Sequence, residues 1–187
     1  MDNVSVVKRM TLLAMLASIS SVIKIIFQAT TGPAARLTFY ELPLIIAGSV
    51  FGPIYGMLAG FISDIGYMTT YGYGFSLMTI SAMMWGAVSG VVLYKRTITL
   101  KRIIIVVIIA STLEFFINGL QLFIWNSGAN PNLTFQMFMI SSTVRSVILV
   151  AKWPLQIYLM HLIYTRVMDA SPLVFVKQKS VYPLSAD

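Results

Sequence analysis

Long apolar runs broken by short polar turns dominate the chain, and they set the predicted elements. Residues 10–28 form a first apolar run of about 19 residues, roughly 28 Å as a helix. A loop over 29–38, with Gly32-Pro33, ends it. Residues 39–52 and 53–68 read as two short helices meeting at Phe51-Gly52-Pro53, each marginal as a span alone. A turn rich in Gly and aromatics, 69–75, leads to a span over 76–94. Lys95-Arg96 and Lys101-Arg102 bracket a tight turn before a long span over 103–126. A loop over 127–136 precedes a last long helix over 137–166, and the tail 169–187 is polar.

Small residues recur on these runs. Gly48, Gly52, Gly56 and Gly60 stand four apart, with Pro53 interrupting the ladder. In lipid, that spacing lets helix backbones approach closely. Gly86 and Gly90 repeat it in 76–94, and Ala14 and Ser18 repeat it in 10–28. These four residues either pack internally or form a docking face for another membrane subunit.

Composition sharpens the class. The 187 residues are 58% hydrophobic and only 10% charged, against about a quarter charged in a soluble domain. Mean hydropathy is +0.85. The expectation is one all-α integral membrane domain over residues 1–187, a bundle of six transmembrane helices. The absence of cysteine removes disulfides, thiolate catalysis and Cys-ligated metals. The net charge of +7 reads as basic cytoplasmic flanks and not as a nucleic-acid surface. With six spans, Lys8-Arg9, the Lys95–Arg102 turn, and Arg166 with Lys177 and Lys179 share one face. Both termini and the 169–187 tail are then cytoplasmic. Residues 1–28 are read as a retained helix and not a cleaved signal, because the apolar run continues to Phe27.

Seven charges remain in or beside the spans: Lys24, Arg36, Glu41, Asp64, Glu114, Arg145 and Lys152. Arg36, Glu41, Asp64 and Arg145 lie near the outer ends of their helices. So do Phe39, Tyr40, Tyr67, Tyr71, Tyr73, Phe75, Trp125 and Phe135. One reading is intramembrane ion pairing with an interfacial aromatic belt. The other is a water-accessible pocket lined by rings and charges of both signs. Chemistry of other kinds has little to stand on. There is no phosphate loop, HExxH or GxSxG motif. An intramembrane enzyme would have to use Glu114 or Asp64 with the single His161. The methionines fill packing gaps more readily than they bind copper. A passive channel or purely structural bundle is the remaining alternative.

The run RLTFYELPLIIAGSVFGPIYGMLAGFISDIGY, from Arg36 to Tyr67, followed by Gly74-Phe75-Ser76-Leu77, resembles the substrate-binding S components of energy-coupling factor (ECF) vitamin transporters, closest to the folate-type branch. Asn118, Arg145 and Pro154-Leu155-Gln156 match further positions of that branch, so the resemblance covers about residues 8–168. It implies a prokaryotic cell-membrane protein, not an enzyme, that binds a vitamin at its outer face. It implies docking on a transmembrane scaffold subunit driven by two ATPases, which alone use ATP. It also implies a docking face on the first helix, here Ala14 and Ser18, where the family has Ala at both positions.

The candidate site chemistry suits folate. A carboxylate, Asp64 or Glu41, can accept the adjacent N–H donors of a pterin edge. Arg36 and Arg145 can pair the two carboxylates of the glutamate tail. Tyr71, Phe75 and Trp125 can stack on its rings. Asn118 and Lys152 complete the candidate set, and no metal ligand or catalytic residue is assigned. Riboflavin, pyridoxine or a pyrimidine precursor are the alternative ligands.

Overall fold

A computed structural model describes residues 3–31, 38–72, 74–127 and 131–168. Six α-helices run through them: α1 (Asn3–Thr31), α2 (Glu41–Phe51), α3 (Pro53–Tyr71), α4 (Leu77–Leu93), α5 (Leu100–Ser127) and α6 (Pro131–Ile163). A single π-helical turn, Tyr164–Met168, continues α6. Among the described residues, three helices are long and apolar enough to cross a membrane by length and composition: within Val6–Phe27, Leu100–Gln121 and Arg145–Arg166.

Helix ends overrun the apolar runs where local chemistry permits. Pro131 opens α6 because its missing N–H is unneeded in a first turn. Thr69 and Thr70 donate back to the Gly66 carbonyl at 2.9 and 3.0 Å, and α3 continues to Tyr71. Gly72, at φ 68°, then ends it in the left-handed conformation.

The polarity of the bundle is inverted relative to a water-soluble protein. Ser20, Lys24, Glu41, Ser63, Asp64, Thr79, Ser89, Asn118, Lys152 and Gln156 are buried, while Ile54, Val7, Val91 and Phe116 face outward. Apolar exteriors around polar interiors suit a lipid solvent, because lipid tails neither penalise exposed Ile nor hydrate exposed Lys.

Glycine sets the closest approach. Gly52 takes φ 98°, a value that side chains strongly disfavour, and the chain turns there between α2 and α3. Gly48 and Gly56 then lie side by side: a Cβ on Gly56 would come within 2.8 Å of Gly48 Cα. In one straight helix they would be roughly 12 Å apart. Both press on α4. A Cβ on Gly48 or Gly56 would sit 2.2 or 2.4 Å from the Gly86 carbonyl oxygen. A Cβ on Gly90 would meet Pro53 Cα at 2.4 Å. Gly86 and Gly90, which as a sequence could also have been a docking face, are therefore buried in the α2–α3–α4 seam. No surface remains there for another subunit. Ala14 and Ser18 are exposed on α1, with the Ser18 hydroxyl donating to the Ala14 carbonyl at 2.8 Å.

Helix α4 packs against α2, α3 and α5, α1 lies against α2 and α3, and α6 lies against α5. The apolar core (Leu44, Ile45, Trp85, Leu93, Val106, Val107 and Met160) fills the space between them.

Candidate functional site

Every helix contributes a polar side chain to one connected cluster. Lys24 of α1 donates to Asp64 Oδ1 of α3 at 2.8 Å. The other Asp64 oxygen accepts from the Thr79 hydroxyl of α4 at 2.5 Å. The Lys24 ammonium also lies 4.4 Å from the centre of the Tyr40 ring, a cation–π contact. Tyr40 stands just before α2, where its carbonyl accepts from Ser20 at 2.8 Å and its hydroxyl donates to Glu114 Oε1 at 2.9 Å. The second Glu114 oxygen accepts from Trp85 Nε1 at 2.9 Å, and Asn118 Nδ2 lies 3.4 Å from the first. Glu41 opens α2, where the helix dipole favours an acid. Lys152 of α6 donates to Glu41 Oε1 at 2.5 Å and to the Thr38 carbonyl at 3.1 Å. Gln121 accepts from the Leu77 N–H at 2.9 Å and so satisfies one of the free donors at the start of α4.

The charges divide into two buried ion pairs, Lys24–Asp64 and Glu41–Lys152. Glu114 makes no ion pair among the described residues; neutral donors from three elements hold it. Three carboxylates thus face two ammoniums in this cluster. Acceptors are in excess, and the surplus is visible. Glu41 Oε2 and Asn118 Oδ1 are buried with no hydrogen-bond partner. Buried acceptors without donors are costly, so such a cluster suits a molecule that brings N–H groups.

The sequence-derived candidates take different positions. Glu41, Asp64, Asn118 and Lys152 join the cluster. Tyr71 ends α3 and its hydroxyl donates to the Ile25 carbonyl at 3.2 Å. Phe75, 67% exposed, packs its ring 6.4 Å from that of Phe61. Arg145 is half-buried on α6, seven residues before Lys152 and on the same stripe. Trp125 lies in α5 with its side chain outside the described part, and Arg36 falls outside the described residues altogether. The alternative pairing of an acid with His161 has no support. Asp64 and Glu114 are bound to the partners named above, and His161 Nδ1 has none.

Lys24, Tyr40, Thr79, Trp85 and Glu114 belong to the cluster although sequence reasoning did not assign them to a site. Lys24 and Glu114 carried a signal as charges within apolar runs. Thr79 and Trp85 carried none, because nothing in their spacing ties them to partners on other helices.

The ECF transporter substrate-specific component family matches residues 8–164. The folate transporter FolT of Clostridium novyi (strain NT) is 29% identical over 89 residues, 46% of this chain and 52% of that protein. The chain thus spans about half the length of the curated relative it matches. A crystal structure of FolT bound with folic acid is similar with a TM-score of 0.71 at 22% identity, covering 86% of this chain and 96% of that one. The second likeness carries the six-helix membrane fold. The family match runs from the first turns of α1 through the end of α6, and so the chain belongs to the substrate-specific components of ECF transporters, a prokaryotic family of multi-pass membrane transporter subunits and not of enzymes.

Proposed function

We propose that this chain captures folate at the Tyr40 end of its bundle and delivers it through a shared ATP-driven module. The observation that carries the ligand class is the pair of buried acceptors without donors, Glu41 Oε2 and Asn118 Oδ1. A pterin edge brings N–H donors of the kind they lack. Similarity to FolT supports the same ligand. Both oxygens of Asp64 are already engaged, so Glu41 takes the pterin edge and Asp64 holds the α1–α3–α4 junction. Arg145, with Arg36 between α1 and α2, pairs the glutamate-tail carboxylates. Tyr71, Phe75 and Trp125 supply ring contacts. The site end faces the exterior and both termini face the cytoplasm, in keeping with the basic Lys95–Arg102 turn. Ala14 and Ser18 on the exposed face of α1 meet the transmembrane scaffold subunit, and two ATPase subunits drive the cycle.

Mass spectrometry of the ligand co-purifying with the protein, followed by labelled-folate binding, tests this. Folate is expected in the purified protein. Arg145→Ala and Glu41→Gln are each expected to weaken binding by about tenfold or more, as loss of a charged hydrogen bond does. Co-purification of riboflavin, pyridoxine or a pyrimidine precursor, or undetectable folate binding by the wild type, would overturn the ligand assignment. Unchanged affinity in both variants would overturn the site.

A further inference from the structure

Gln156 is fully buried on α6, and neither its Nε2 nor its Oε1 has a hydrogen-bond partner. A primary amide with nothing to bond is costly in an apolar interior, so its donor and acceptor call for a complementary pair. Its place says which. Among the described residues, Lys152, Gln156 and Met160 of α6 and Tyr164 of the π-helical turn that continues it form a buried stripe. Lys152 links that stripe to Glu41 of α2, and the Tyr164 hydroxyl links it to Ser49 of α2 at 2.8 Å. Gln156 therefore faces α2 between these two links. It lies one turn, about 6 Å along the axis, from Lys152. The nearer link ends in Glu41, whose Oε2 is itself unpartnered.

Together the two side chains present an acceptor (Glu41 Oε2), a second acceptor (Gln156 Oε1) and a donor (Gln156 Nε2). The edge of a 2-amino-4-oxopteridine presents the complement: an amino donor, a ring N–H donor and a carbonyl acceptor. We propose that Gln156 is a specificity-determining residue of the site, reading the lactam N–H and C=O of the pterin while Glu41 accepts from the neighbouring amino group; this rests on the folate reading. Arg145, Lys152 and Gln156 fall within roughly 60° of one another around α6. One helix then meets both the charged tail and the ring edge of the same ligand.

An amide can turn over. Toward folic acid it accepts from the ring N3–H and donates to the C4 carbonyl; turned over, it donates to the bare N3 and accepts from the amino group that replaces the carbonyl in the 4-amino-4-deoxy analogue. Wild type is therefore expected to bind both. A carboxylate only accepts, so in Gln156→Glu one of its oxygens meets an acceptor in either ligand, the C4 carbonyl of folic acid or N3 of the analogue. Binding of folic acid and of its 4-amino-4-deoxy analogue is measured on purified wild type, Gln156→Glu and Gln156→Leu, with thermal stability of each without ligand. Gln156→Glu is expected to bind each ligand about tenfold or more weakly than wild type. Gln156→Leu removes two unsatisfied groups at similar volume. It is expected to melt no lower than wild type while weakening both ligands. Folic acid bound by Gln156→Leu as tightly as by wild type would overturn the proposal and leave the folate reading intact. So would wild-type affinity for both ligands in Gln156→Glu. Failure of wild type to bind folic acid would overturn both.

Discussion

Replacing Gly86 by alanine tests whether backbone contact across the α2–α3–α4 seam holds the site together. A Cβ at Gly86 would lie 2.0 Å from the Gly56 carbonyl oxygen and 2.2 Å from its carbon. Both are backbone atoms, so no rotamer change relieves the contact. Restoring an ordinary separation near 3.4 Å requires α3 and α4 to part by about 1.4 Å, the difference from the 2.0 Å approach. Overpacking of this kind costs typically about 1–3 kcal/mol. A bond across the same seam carries the damage to the site. Thr79 of α4 donates to Asp64 of α3 at 2.5 Å, and a displacement of that size takes it beyond hydrogen-bond range. The assay is the melting temperature of detergent-purified protein together with folate affinity, and Gly74→Ala is the control, because a Cβ there meets nothing within 4 Å. Gly86→Ala should melt lower and bind more weakly than the control. Gly56→Ala should behave alike, and the double variant should cost less than the sum, since one parting of α3 from α4 relieves both clashes. If Gly86→Ala melts and binds like Gly74→Ala, the seam does not set the site geometry.

Lys24→Met leaves the Asp64 carboxylate buried without its cation and should destabilise by about 3–5 kcal/mol. Adding Asp64→Asn should recover most of that loss in the same thermal assay, and no recovery would mean that the pair is not the coupled unit. Tyr40→Phe removes one donor to Glu114 and should cost about 1.5–3 kcal/mol; a variant as stable as wild type would exclude a stabilising role for that bond. Ala14→Leu on the exposed face of α1 should leave folate binding unchanged and abolish uptake in cells expressing the ECF module. Normal uptake would remove the docking role from that face.

The helices and their tight seam were legible because both follow periodic rules. Apolar runs of helical length mark the spans, and Gly48, Gly56, Gly86 and Gly90 mark close approach through four-residue spacing. The pairing of charges was not legible. Asp64 could equally have faced a ligand, and only the packing of α1 on α3 brings Lys24 to it from 40 positions away in the chain. Glu114 shows the same limit from the other side. Its three donors come from before α2, from α4 and from α5 itself, and only the last stands at a helical interval. Gln156 did stand at such an interval from Lys152, so its membership of the buried stripe was readable in principle. Its unsatisfied amide was not, because satisfaction depends on what the other helices supply.

The turn at Gly52 bears on how the chain enters the bilayer during synthesis. Helix α2 has 11 residues, about 16 Å of helix, half the hydrocarbon thickness. Alone it cannot partition as a stable span, and α3 carries the Asp64 carboxylate that must be screened. The glycine faces of both become dry only when α4 arrives to cover them. The three segments should therefore leave the insertion machinery as one unit, held until roughly residue 94 has been translated.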